Sequence, residues 1–162
     1  MVYGVIDGKS HKFYTYLRNV FPAIQNAQLN YNWLITDCFC NIPNPIEEES
    51  DRQGYCWISG EDLTRFAQQD KTQWIGAVFS GFDKDIPLAE IQKYPMPVWE
   101  HPGFWHNPLT LQHPLATVEI VPWDSGYTLL LSTNRKIVSD FHQAYPKSQD
   151  LADYNNQHQY PT

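Results

Sequence analysis

Five of the chain's twelve prolines fall between positions 95 and 114, at Pro95, Pro97, Pro102, Pro108 and Pro114. Proline fixes its own φ, lacks an amide donor and restricts the residue before it. The stretch "VWEHPGFWHNPLTLQHP", residues 98–114, therefore forms neither a long helix nor a central strand, and it divides the 162-residue chain. Before it, apolar periodicity marks alternating strands and helices. After it comes a strand pair and a helix.

Upstream, "VYGVID" reads as a strand ended by Gly8. Ser10 then caps a helix whose stripe is Phe13, Tyr16, Leu17, Val20, Phe21 and Ile24, at offsets 0, 3, 4, 7, 8 and 11. Pro22 stops or kinks it. "NYNWLITDCFC" is a second strand. Residues 41–54 read as a polar, acidic, proline-containing loop, and "YCWIS" as a third strand. Ser59 with Asp62 three positions on forms an Asp version of the capping box, opening a helix with Leu63, Phe66 and Ala67 inward. The near-continuous apolar run "QWIGAVFSGF" predicts a central strand buried on both faces. "IPLAEIQKY" suggests a short helix.

Downstream, "ATVEIVPWDSGYTLLLS" is a hairpin turning at Asp124-Ser125-Gly126, with Pro122 placing its first arm at an edge or bulge. Asn134 caps a last helix carrying Ile137, Val138, Phe141, Ala144 and Tyr145, stopped by Pro146. The order β-α-β-β-α-β-loop-β-β-α predicts an α+β domain. It has a mostly antiparallel sheet of about six strands, with about three helices packed on one face. Residues 1–154 form a single domain and 155–162 a polar tail.

The formal charge is −7. A nucleic-acid-binding chain is normally basic, so direct DNA or RNA binding is disfavoured. The charge is concentrated: residues 41–70 hold seven acids (Glu47, Glu48, Glu49, Asp51, Glu61, Asp62, Asp70) against Arg52 and Arg65, a net −5. Such a window is either a solvated loop and helix start or a face that steers a basic partner. No apolar run approaches the roughly 20 residues that span a membrane. The start shows no basic region followed by an apolar one. Three cysteines, an odd number, fit reduced thiols in a cytoplasmic protein.

Three chemistries compete for the proline-rich stretch. His101, His106 and His113 are spaced H-x4-H-x6-H, and Cys38 and Cys40 share one face of a strand. Together they make a candidate metal set (His101, His106, Cys38, Cys40), although the spacing matches no zinc motif. Cys40 with His101 or His106 as base is a candidate nucleophile pair. The strand-end acids Asp7, Asp37, Asp83, Asp85 and Asp124 suit either an active site or simple turn formation. No G-x-S-x-G, H-E-x-x-H, P-loop or G-x-G-x-x-G occurs. The third chemistry is recognition. Trp99, Phe104, Trp105 and His106 stand on a stiffened loop and supply rigid aromatic anchors. The bland counterpart is that these rings fold back to cover the sheet.

In character the chain resembles the immunity proteins of bacterial polymorphic toxin systems. The features are the acidic window 47–70, "NYNWLITDCFC", and the unit "SGYTLLLSTNRKIVSDFHQAYPKSQDL". The resemblance implies a non-enzymatic, cofactor-free, cytoplasmic inhibitor that occludes the active site of a basic toxin or nuclease domain. Partner-binding candidates are then Glu47, Glu48, Glu49, Asp51, Glu61, Asp62, Trp99, Phe104, Trp105 and His106. The rival readings are a metal-binding or Cys/His-dependent enzyme using loop 98–114, and a structural or regulatory domain whose acids only aid solubility.

Overall fold

Alternating side chains in a strand point to opposite faces, so a strand that is apolar throughout must be covered twice. A computed structural model describes residues 1–69 and 71–158. In chain order it contains β1 (Tyr3–Asp7), α1 (Leu17–Ala23), β2 (Tyr31–Cys40), α2 (Pro45–Gln53), β3 (Cys56–Ser59) and α3 (Gly60–Gln69). These are followed by β4 (Trp74–Asp83), α4 (Leu88–Ile91), β5 (Val118–Trp123), β6 (Tyr127–Ser132), α5 (Arg135–Ala144), β7 (Gln149–Asp150) and α6 (Leu151–Gln157). Two short 3-10 turns lie at Ala27–Asn30 and Pro102–Trp105.

The α+β class holds, with one sheet ordered β3-β2-β4-β5-β6-β1-β7. Every ladder is antiparallel. Among the described residues there are seven strands where about six were expected; β7 is two residues long and pairs with Val5 and Ile6, too short to leave a periodicity. β4 lies inside the sheet, as its apolar run predicts, with nine of its ten residues wholly or half buried.

The sheet is covered on both faces, not one. Val5, Ile35, Phe79, Ile120 and Leu130 pack under α1, α2, α3 and α5. Their neighbours in sequence, Ile6, Leu34, Val78, Val121 and Leu129, point the other way. That second face is closed by Ile91 of α4, Leu151 and Tyr154 of α6, and the proline-rich stretch through Phe104 and Leu109. The stretch is thus part of the core cover. Among the described residues six helices are present where about three were expected.

Local departures have local causes. Ser10 caps no helix, because Asp7 Oδ1 accepts from Lys9 N, Ser10 N and Ser10 Oγ at 3.2, 3.1 and 2.8 Å. Residues 8–16 become an irregular strap, Phe13 is 54% exposed, and α1 starts only at Leu17. It ends one residue beyond Pro22, as expected. The acidic "loop" contains a helix: Asn44 Oδ1 accepts from the amides of Ile46 and Glu47, Pro45 takes the first helical position, and Gly54 closes the end at φ 91°. Pro122 does not mark an edge. β5 is interior, and its ladder with β4 passes from Gly76↔Trp123 to Phe79↔Ile120 without pairing at Pro122. α6 runs to Gln157 and Asn155 is buried, with Nδ2 donating to the Phe104 carbonyl. The ordered fold thus extends past 154; residues 159–162 of the expected tail, and Asp70 of the acidic window, lie outside the described residues.

The caps at Ser59 (accepting from Asp62 N, 3.1 Å) and Asn134 (from Lys136 N, 3.1 Å) form as read. So does the tight turn, where Asp124 and Ser125 take positive φ and Gly126 N donates to Trp123 O at 3.0 Å.

Candidate functional site

β2 carries an acid where alternation calls for a packed residue. Asp37 adopts φ 54°, and the β2–β4 register shifts between Thr36 and Phe39. The resulting bulge turns the end of β2 outward. It opens a groove of about 330 Å³ lined by Asp37, Cys38, Asp51, Met96, Pro97 and Val98. The acidic helix α2 and the proline-rich segment, some forty residues apart in sequence, form its two walls.

The loop wall is fixed by hydrogen bonds. Thr36 Oγ1 donates to Pro97 O at 2.7 Å, and Trp99 N donates to Asp37 Oδ2 at 3.0 Å. Gln112 clamps Val98 both ways: its Oε1 accepts from Val98 N (2.8 Å) and its Nε2 donates to Val98 O (2.9 Å). Behind it, Glu119 of β5 accepts from the amides of Gln112 and His113, both at 2.9 Å. Glu119 is fully buried, and burial pushes its carboxyl up to about 7 against the opposing effect of those two amides. His113 is also buried; its Nε2 meets Ile91 O at 3.0 Å and its Nδ1 accepts from Leu115 N. Desolvation holds its pKa below the usual imidazole value. Glu119 was legible as a lone charge inside "TVEIV", a sign of a buried structural acid.

The six acidic candidates divide into occupied and open. Glu47 Oε1 accepts from Cys40 N at 3.1 Å, and burial raises its pKa. Glu49 bonds Gln53 and the Cys56 thiol and lies near Arg52. Glu61 pairs with Lys84, whose hydrogen bond lowers its pKa, and Asp62 pairs with Arg65. Glu48 and Asp51 are exposed and have no such partner among the described residues. Asp51 lines the groove with Asp37 and the exposed apolar Val98.

The aromatic candidates turn inward. Phe104 is 1% exposed and belongs to the second-face core. Trp99 lies over Gly76, where a Cβ would approach Trp99 Cε2 to 2.5 Å. Trp99 and Trp105 are half-buried and meet Trp123 edge-on at 5.2 and 4.8 Å. His106 is half-buried and His101 packs edge-on against Phe104. The loop is therefore a cover whose rings are spent on packing, and Val98 is its exposed large apolar side chain.

His101, His106, Cys38 and Cys40 are not brought together. Cys38 and Cys40 pack toward the first-face core, whereas His101 rests on Phe104 on the second. Among the described residues no group of three His, Cys, Asp or Glu side chains is placed to hold a metal ion. Desolvation, with neighbouring acids, pushes the Cys38 and Cys56 thiols up to about 12, which opposes thiolate chemistry. No described helix is long and apolar enough to cross a membrane. No family model matches the chain, and comparison with curated proteins and with solved structures gives no match.

Proposed function

We propose that the chain is a binding protein that docks a basic partner at the α2 groove, in the manner of an immunity-type inhibitor occluding a basic toxin or nuclease domain in the cytoplasm. The observation that carries this reading is one surface: exposed, unpaired Asp51, with exposed Glu48 one helical turn before it on α2, in a groove whose other wall ends at Val98. Unpaired acids raise the rate of encounter with a basic surface. A prefixed wall lowers the ordering cost of the complex. Glu61 and Asp62, already paired within the chain, contribute less, because a partner must first break those contacts.

The test is kinetic. A basic domain of the toxin or nuclease type is titrated against the wild type and a Glu48→Gln, Asp51→Asn double variant at several salt concentrations. The wild-type association rate falls with salt, and the double variant associates severalfold more slowly with a flatter slope. Association in the wild type that ignores salt would overturn the reading.

A further inference from the structure

The net charge of −7 is unevenly spread, and one pocket carries the opposite sign. It lies where the 8–16 strap, the start of β6, β7 and the end of α6 meet, and holds about 340 Å³. Small-ligand pockets begin at roughly 300 Å³. Lys9 of the strap and Lys147, two residues before β7, line it together with His158. Both lysines are exposed, and neither forms an ion pair among the described residues. No aspartate or glutamate of the described residues lines the pocket.

The acids nearest in sequence are turned elsewhere. Successive residues of a strand point to opposite sides, so Gln149 enters this pocket while Asp150 lines a separate groove beside α5. Asp150 Oδ1 also accepts from Asp153 N at 2.9 Å, capping α6. Asp7 is buried, and its Oδ1 accepts from Lys9 N, Ser10 N and Ser10 Oγ. The remaining wall is aromatic. Tyr127 lies against Gly8, where a Cβ would approach its Cδ1 to 2.5 Å, so a side chain there would displace the ring. Tyr154 is buried and stacks on His158, with centroids 4.1 Å apart and planes at 20°. His158 Nδ1 lies 3.0 Å from Tyr154 O. A carbonyl only accepts, so Nδ1 carries the proton and the ring is held in place.

We propose that this pocket binds the dianionic phosphate group of a small phosphate monoester, the ammonium groups of Lys9 and Lys147 donating to its oxygens and its organic part lying against Tyr127 and Tyr154. Two unpaired ammonium groups match a double charge, whereas a carboxylate neutralises one of them. The side-chain amides of Gln149 and Gln157 also line the pocket and add N–H donors. The guest is one phosphate group rather than a nucleic-acid strand, because the acidic remainder of the chain repels a polyanion. The pocket shares no residue with the α2 groove, so the two assignments stand or fall separately.

Phenyl phosphate titrated into the isotopically labelled full chain tests it, with the His158 and Tyr127 ring resonances followed by NMR. At about pH 8 the ester is a dianion. The shifts are expected to saturate. Lys9→Gln and Lys147→Gln each weaken binding at least about fivefold, since charge-assisted hydrogen bonds are the strong ones. Both positions are exposed, so the variants fold. Lys93→Gln, outside the pocket, leaves the affinity unchanged. Benzoate, with a single charge, binds at least about fivefold more weakly than the ester. Inorganic phosphate is also weaker, because it leaves the tyrosines uncovered. Linear shifts overturn the proposal. So does an affinity that the Lys9→Gln, Lys147→Gln double variant retains, or that Lys93→Gln loses equally. Benzoate binding as tightly as phenyl phosphate overturns the dianion assignment, and inorganic phosphate binding as tightly overturns the ester.

Discussion

Glu119→Gln isolates the contact on which the groove's loop wall depends. In the wild type the fully buried carboxyl accepts from the amides of Gln112 and His113, and burial raises it to about 7. The folded pKa lies above the unfolded value of about 4.3. Stability from this group is therefore fully present below about pH 4.3 and is lost as pH rises through about 7. A shift of between two and three units, at about 1.4 kcal/mol each, corresponds to about 3 kcal/mol over that window. Glutamine does not titrate. Its oxygen accepts from one amide and its NH2 opposes the other, at a pH-independent cost of about 1–3 kcal/mol. Urea unfolding, followed by tryptophan fluorescence and far-UV circular dichroism, gives both stabilities at each pH. The wild-type advantage shrinks by about 3 kcal/mol between roughly pH 4 and pH 8. A difference that stays constant within about 0.5 kcal/mol across the window would falsify the assignment of Glu119 as the titrating anchor.

Two further outcomes follow from packing. Gly76→Ala places a methyl 2.5 Å from Trp99 Cε2, so the ring must move; the expected loss is about 1–3 kcal/mol with a shift in tryptophan emission, and an unchanged melting temperature would refute the close approach. Cys38 and Cys56, with thiols pushed up to about 12, stay unlabelled by a thiol reagent at about pH 8 in the folded chain, and rapid labelling of both without unfolding contradicts their raised pKa values.

The strands were readable because buried strands leave a period-two or continuous apolar trace, as in β4 and β6. α2 was not, because only Ile46 and Ser50 of its nine residues are buried, so no stripe exists. Its trace lies in the cap residues Asn44, Pro45 and Gly54, which read equally well as loop chemistry. The α1 stripe overreached for the opposite reason. Its spacing is helical from Phe13, but Asp7 captures Ser10 and Thr15 pairs with the Trp74 backbone at 3.0 and 2.9 Å. A tertiary contact thus overrides the local pattern.

The groove itself was beyond sequence reasoning, since it is built from contacts distant along the chain. Asp37 meets Trp99, Gln112 meets Val98, and Glu119 holds Gln112. Each polar residue is unremarkable alone; together they convert the proline stretch from a candidate site into a scaffold. This reassigns its histidines and tryptophans. His113 and Phe104 are fully enclosed, and Trp99 and Trp105 are committed to Trp123. The stiffness that prolines lend the loop therefore serves the cover, and under the proposed docking reading it also sets Val98 opposite the unpaired Asp51.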